Sequence, residues 1–404
     1  MITVDETSFF VVILTAALAA ITVVVLPRRM APPVVVVELM LGIVVGPDVL
    51  GIAESDDFIE FFSNLGLGML FFFAGYEIDF ERIRGQPLKL GALGWLLSLA
   101  LAYGIGGALA AAGVVLSYLY TGSALATTAI GTLIPILRDG GELKTRFGTY
   151  LLAAGALGEF GPILLLTLVL STAQPLHEAL ILILFIVLAL ILALASVRLA
   201  WRGFAALDRT LESSSQLAIR LAVVLVFGLV LLASELGLDL LLGGFVAGMI
   251  VRAALRGREM QVFESKLTAV GFGFLIPFFF VDSGINFDLS ALGSAEAIAK
   301  LLLFLGLFLV VRGVPALALY RSALDARDRF ALAFFSATEL PLVVAITTLA
   351  TEAGEMRTST AAGLVGAAML STLIFPFVGM ALRRRSDADD GDLSPPAEGR
   401  AAPA

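Results

Sequence analysis

Phe147 to Ser171 is an apolar run of 25 residues with one charged side chain, Glu159, at its middle. At 1.5 Å per residue a helix of that length spans the hydrocarbon core of a bilayer. Twelve residues lie on either side of Glu159, so the carboxyl falls near mid-membrane. Placing an ionisable group there costs at least ~2.5 kcal/mol, which makes Glu159 a functional candidate and asks what accompanies it.

The rest of the chain repeats the pattern. With 59% hydrophobic and 15% charged residues among 404, and a mean hydropathy of +1.00, the composition is that of a polytopic membrane protein. There is no cysteine, which excludes disulfides, thiolate metal sites and cysteine nucleophiles. The one histidine, His177, falls in a loop, so a histidine-metal enzyme is not expected. No Gly-x-Gly-x-x-Gly fingerprint follows a strand pattern, so no nucleotide-sensing domain or cofactor is expected. Without Cys, a membrane His or a close Asp pair there is no catalytic set, so the chain reads as no enzyme, and no nucleic-acid partner is expected.

Thr7 to Leu26 follows Asp5 and Glu6 and lacks a basic leader, so it reads as a retained first span. Twelve further apolar segments follow, giving an all-α protein of about 13 transmembrane helices. Alternate loops hold 23 of the 26 Lys and Arg residues, among them Arg28, Arg82, Arg146, Arg252, Arg321 and Arg383. The opposite loops carry Lys300, Arg357 and the acidic Glu54, Asp56, Asp57 and Glu60. The positive-inside rule then puts the N-terminus outside and the C-terminus inside a cell membrane. The tail at 383–404 is basic, then acidic and Pro/Ala-rich, and reads as a disordered cytosolic end.

The remaining basic residue, Arg312, falls inside the eleventh span, and Glu339 inside the twelfth. Buried ions face a bundle interior and pair, so spans six, eleven and twelve should meet. Arg312 keeps its proton and reads as a counter-charge, with Glu339 either neutralising it or serving transport. Glu38, Glu77, Asp79 and Asp282 lie nearer span ends, where snorkelling or capping is the simpler reading.

Span five contains Ser123-Ala124-Leu125-Ala126-Thr127-Thr128-Ala129-Ile130-Gly131, with Pro135 beyond, and span twelve contains Ser336-Ala337-Thr338-Glu339-Leu340-Pro341. Small residues, hydroxyls and a proline suit an interrupted membrane helix, because hydroxyls can satisfy the backbone groups a break frees. Helix packing would explain either stretch alone. Both, however, occupy the middle of a triplet, spans four to six and eleven to thirteen, and the triplets run in opposite directions. Inverted repeats with matching breaks point to a transporter's midplane site.

Glu38-Leu39-Met40-Leu41-Gly42-Ile43-Val44-Val45-Gly46-Pro47 resembles the second-span signature of the bacterial monovalent cation:proton antiporter family, the branch of sodium/proton exchangers and potassium-efflux antiporters. Phe73-Ala74-Gly75-Tyr76-Glu77-Ile78-Asp79, Leu241 to Gly248, and Pro277-Phe278-Phe279-Phe280 with Gly284 are similar to its third-, ninth- and tenth-span motifs. The resemblance runs over about residues 8–382. It implies a transmembrane antiporter domain over 1–382. Core helices would occupy 89–171 and 297–382, a dimerisation scaffold 7–79 and 214–285, and a linker helix 178–200. It also implies two discontinuous crossing helices, with Thr127, Thr128, Ser336, Thr338 and Glu339 near the ion site. The family's sixth-span carboxylate is usually an Asp after a polar residue, whereas here Gly158 precedes Glu159. The family's eleventh-span base matches Arg312.

Together these imply exchange of protons for a monovalent cation, Na+ or K+, by competition for Glu159, with Thr127 and Thr128 as oxygen ligands and Arg312 and Glu339 as supporting charges. Ser336, Thr338 and Asp282 are further candidates. One carboxylate implies electroneutral 1:1 exchange with no cofactor. The expected partners are the bilayer, a second copy in a homodimer and the transported ions, and a separate regulatory subunit is left open. The rival is a sodium-coupled symporter of an organic anion, for which Arg312 would be the anion-binding cation.

Overall fold

A computed structural model of the protein describes residues 5–26, 32–78, 80–169, 181, 183–192, 194–195, 214–236, 238, 240–255, 261–290 and 293–391. Their regular elements are helices. The first are α1 (Glu6–Val25), α2 (Val34–Val45), α3 (Asp57–Glu77), the single turn α4 (Phe80–Ile83), α5 (Gln86–Ala111), α6 (Tyr118–Leu125), α7 (Ile130–Asp139) and α8 (Arg146–Val169). After α9 (Ile183–Leu192) come α10 (Leu217–Glu235), α11 (Leu240–Ala254), α12 (Gln261–Val270) and α13 (Ile276–Ile285), the last two joined by a π-helical turn that precedes Pro277. The chain ends with α14 (Ala295–Leu319), α15 (Ala326–Ser336), α16 (Pro341–Glu352) and α17 (Thr358–Gly391).

Among the described residues eight stretches are long and apolar enough to cross a membrane: α1, α3, α5, α10, α12 with α13, α14, α15 with α16, and α17. Helices α2, α9 and α11 are apolar but shorter. Both ends of the segment expected at 178–200 lie outside the described residues, as do His177, Asp79, Arg198, Arg256 and the tail from 392. Before that tail, α17 continues as helix past Leu382 to Gly391.

The starts of several helices are written in the sequence. Asp56 begins α3 by accepting from the N–H groups of Phe58 and Ile59, Ser294 begins α14 through Ala297, and Asp325 begins α15 through Asp328. Pro341 opens α16, where a missing N–H costs nothing. At the far end of the bundle the Arg383 guanidinium lies on the Phe147 ring, donates to Glu142 at 2.9 and 3.2 Å and also binds Asp328. One cation thereby joins α17, α15 and the turn before α8.

Two groups of helices result. The first is α1–α3 with α10–α13, and the second is α5–α8 with α14–α17. Within the first, glycines bring backbones together: a Cβ on Gly42 would lie 2.3 Å from the Val281 carbonyl of α13. Glu38 sits one turn before Gly42 on that same packed face and is 3% exposed, so it neither snorkels nor caps α2. In the second group, α15 with α16 has 89% of its most apolar window buried, against 22% for α1 and for α5. The broken helix therefore runs through the bundle interior, while Val24, Val224 and Leu302 present apolar surface outward, as lipid contact requires.

Candidate functional site

The chain leaves helix between Leu125 and Ile130, and again between Ser336 and Pro341, and the two breaks face each other. Their freed backbone groups bind across the gap. Ala129 N–H donates to the Thr338 carbonyl at 2.8 Å, and Thr128 N–H to the Gly158 carbonyl of α8 at 3.0 Å. The Glu339 N–H donates to Ser371 Oγ at 3.0 Å, and its carbonyl accepts from Ser371 and Thr372 of α17. The interruptions are thus satisfied inside the protein, which is the condition for non-helical backbone at membrane depth.

Arg312 of α14 enters this crossing, 3% exposed. Its Nε donates to Thr128 Oγ1 at 2.9 Å and more weakly to the Ser336 carbonyl, Nη1 to Ser98 Oγ at 3.1 Å, and Nη2 to the Ala154 carbonyl at 3.2 Å. Spans six, eleven and twelve do meet, but all four acceptors are neutral. The direct pairing of Arg312 with a carboxylate that the sequence suggested is absent among the described residues.

The two acids are left partly open. Glu159 is 3% exposed and its Oε2 has no hydrogen-bond partner among the described residues. Glu339 accepts from Thr127 Oγ1 at 3.0 Å through Oε2, while its Oε1 is likewise without a partner. Buried polar oxygens are nearly always satisfied, so a partnerless oxygen on each of these two buried carboxyls is unusual. Among the described residues no three His, Cys, Asp or Glu side chains gather as a polyvalent metal site would require.

The threonines are more engaged than the sequence suggests. Thr128 Oγ1 donates to the Ser336 carbonyl at 2.5 Å and accepts from Arg312, so it ties both breaks to the cation. Thr127 has one proton for two acceptors, the Ala124 carbonyl and Glu339, both at 3.0 Å. Ser336 and Thr338 contribute through their carbonyls, and the Thr338 hydroxyl turns back to Phe334. Asp282 belongs elsewhere. It accepts from Ser55 at 2.6 Å and Asn286 at 3.0 Å and lines a cavity of about 690 Å³ with Asp56, Asp57, Glu60 and Glu352.

Gly158 has a physical reason. A Cβ there would lie 2.4 Å from Arg312 Nη2 and 2.8 Å from Thr128 Oγ1, so the guanidinium occupies the space of a side chain. Sequence reasoning also missed Ser98, Ser371 and Thr372. Their only signal is a hydroxyl in an apolar helix, which is common. Glu77 is the last residue of α3 and so does stand at a span end.

Broken helices that cross beside buried charged groups are a feature of many transporter folds. The chain belongs to the sodium/hydrogen exchanger family: the family profile "Sodium/hydrogen exchanger, transmembrane" matches residues 13–382. That family is one of transporters and not of enzymes. YjbQ of Bacillus subtilis is 25% identical over 369 residues, covering 87% of this chain and 59% of its own. The Na(+)/H(+)-K(+) antiporter GerN of Bacillus cereus is 26% identical over 267 residues, covering 64% of this chain and 66% of its own. The chain therefore spans less than two thirds of the length of either relative. The structure of the sodium proton antiporter MjNhaP1 from Methanocaldococcus jannaschii matches with a TM-score of 0.60 at 18% identity, covering 95% of this chain and 97% of that one.

Proposed function

We propose that the protein exchanges protons for a monovalent cation, Na+ or K+, at Glu159. The observation that carries this reading is the orphaned Oε2 of Glu159, buried at the crossing of two broken helices. A proton or an alkali cation can each neutralise that oxygen, and carboxylate, hydroxyl and carbonyl oxygens are the hard ligands such a cation takes. The names of GerN and MjNhaP1 support the substrate class.

The chain crosses a cell membrane thirteen times, N-terminus outside and C-terminus inside. That number takes α2, α6–α7, α8, α9 and α11 as crossings besides the eight long stretches found among the described residues, and the loop charges support the orientation. Spans four to six and eleven to thirteen form inverted repeats that move as a core against the first helix group, which also holds the homodimer. Glu159, Glu339 and Arg312 sum to one negative charge when both acids are ionised, so one proton or one cation restores neutrality and exchange is 1:1. The anion-symporter reading loses its support, because Arg312 Nε, Nη1 and Nη2 all bind acceptors of the protein itself.

Proton flux in reconstituted vesicles given lithium, sodium, potassium or rubidium tests the reading. Glu159→Gln should abolish exchange, and exchange at the wild-type rate would place the site elsewhere. Competition fixes a pH dependence. While the site is mostly protonated, the apparent cation KM should fall about tenfold per unit rise in pH, levelling once the proton is gone. A KM independent of pH would end the shared-carboxylate mechanism, and a strong effect of voltage on the exchange equilibrium would end the 1:1 stoichiometry.

A further inference from the structure

The two helix groups touch sparingly, chiefly where α8 meets α11, α7 meets α3 and α17 meets α2. Among the described residues a single aromatic pair bridges them. Phe160 of α8, next to Glu159, stacks on Phe245 of α11 with ring centroids 4.8 Å apart and planes 13° from parallel.

Phe245 cannot retreat. It is fully buried, and α11 is seated backbone to backbone on α3: a Cβ on Gly75 would lie 2.0 Å from the Phe245 carbonyl, one on Gly244 2.3 Å from the Gly68 carbonyl, and one on Gly248 2.0 Å from the Phe72 carbonyl. Phe160 belongs to the other group, so the pair joins a fixed ring to one that travels with Glu159.

Its position relative to the cavity gives the pair a task. The cavity of about 690 Å³ opens among Asp56, Asp57, Glu60 and Glu352 and is lined deeper by Leu67, Leu241 and Val344 of α3, α11 and α16. Leu241 and Phe245 are four residues apart on α11, so they share a face, with Phe245 about 6 Å further in. The stack is therefore the next layer beneath the cavity, and Glu159, which does not line the cavity, lies beside that layer.

The geometry points to the Phe160–Phe245 stack as the gate on this face, closing the route from the acidic cavity to Glu159 and parting when the second helix group slides against the first. Near-parallel rings present flat faces that shear past one another without a backbone change, which suits a small sliding of packed helices. The inference rests on Glu159 as the ion site, and its test is read separately from transport.

The absence of cysteine makes that test clean. Ala156→Cys puts a lone thiol on α8 one turn before Phe160, at a position 4% exposed. A membrane-impermeant maleimide is then applied to reconstituted protein from the Asp56 face and, separately, from the opposite face. Labelling from the Asp56 face should be slow in the parent and rise about tenfold with Phe245→Ala or Phe160→Ala. Combining the two should add little, since either alone removes the contact. Phe245→Leu, which keeps the volume better, should fall between and serves if the alanine variant does not fold. Unchanged labelling in a variant that still elutes as folded protein would overturn the gate, as would a rise only from the opposite face. Exchange surviving in Glu159→Gln would overturn the ion site while leaving the labelling result intact, so the two failures are distinct.

Discussion

The seam of α3 with α11 and the crossing of the two broken helices are joined by one pair of rings, yet they are held together by opposite means. In the seam, glycines admit the neighbouring backbone so closely that a Cβ on Gly75 or Gly248 would lie 2.0 Å from a carbonyl oxygen, and the lining is apolar. In the crossing, helices stop short and the gap is filled by one guanidinium, the Glu339 carboxyl and a set of hydroxyls. Close packing leaves no alternative arrangement, whereas the proposed exchange needs carboxylate oxygens that the protein itself leaves unpartnered. Substitutions in the seam should therefore register in stability, and substitutions in the crossing should register in exchange.

The largest effect expected on that division is in the seam. Gly75→Val forces α3 away from α11 and should cost about 3 kcal/mol or more, seen as a large fall in melting temperature or in yield. Gly104 of α5, with nothing within 4 Å of its added Cβ, is the control: Gly104→Ala should leave melting unchanged or slightly higher. If Gly75→Val melted normally and only transport changed, the seam would be a moving part and the division would be wrong.

In the crossing, Arg312→Lys should leave the protein folded and lower exchange about a hundredfold. An ammonium cannot reach Thr128, Ser98 and the Ala154 carbonyl together, and charged hydrogen bonds contribute about 1.5–3 kcal/mol each. Gly158→Ala should act more mildly. The new Cβ crowds Nη2 and the Thr128 side chain, straining the bond to the Ala154 carbonyl and the Thr128–Arg312 contact, so exchange should fall about tenfold. Wild-type exchange in Gly158→Ala would show that the guanidinium has freedom the packing does not suggest.

Which of these parts could be read from sequence follows from what leaves a trace there. A charge within an apolar run is an anomaly at the level of single letters, so Glu159, Arg312 and Glu339 were legible. So were the breaks, because Thr, Pro and small residues cluster at both. The acceptors of Arg312 were not, since the Ala154 and Ser336 carbonyls belong to the backbone and every residue has one. That is why a carboxylate partner was expected where neutral oxygens stand. Gly158 was read as a lost polar group. The position is filled, but by a side chain that arrives from α14, a long-range fact that no local pattern records. Glu38 misled for a related reason: its place near a span end suggested escape to the interface, while the packing of Gly42 against α13 draws that face inward.

The smallest effect is expected where the crossing depends on a neutral side chain alone. Ser371 Oγ accepts from the Glu339 N–H at 3.0 Å and returns its proton either to the Glu339 carbonyl at 3.1 Å or to Ala368 at 2.8 Å. Thr372 supports the same carbonyl from 3.2 Å, so in Ser371→Ala the carbonyl keeps a donor and only the N–H is orphaned. The loss should be about 1–3 kcal/mol, enough to lower melting by a few degrees. The cation KM should rise a few-fold, because Glu339 is then held in place chiefly by Thr127. Thr372→Val alone should do less, since Ser371 remains for both groups. The double variant should exceed the sum of the two, because only then does the Glu339 peptide lose both its donor and its acceptor partner on α17. Simple additivity would mean that the break in α15–α16 is held by the contacts across to Ala129 and Thr128, with α17 merely adjacent.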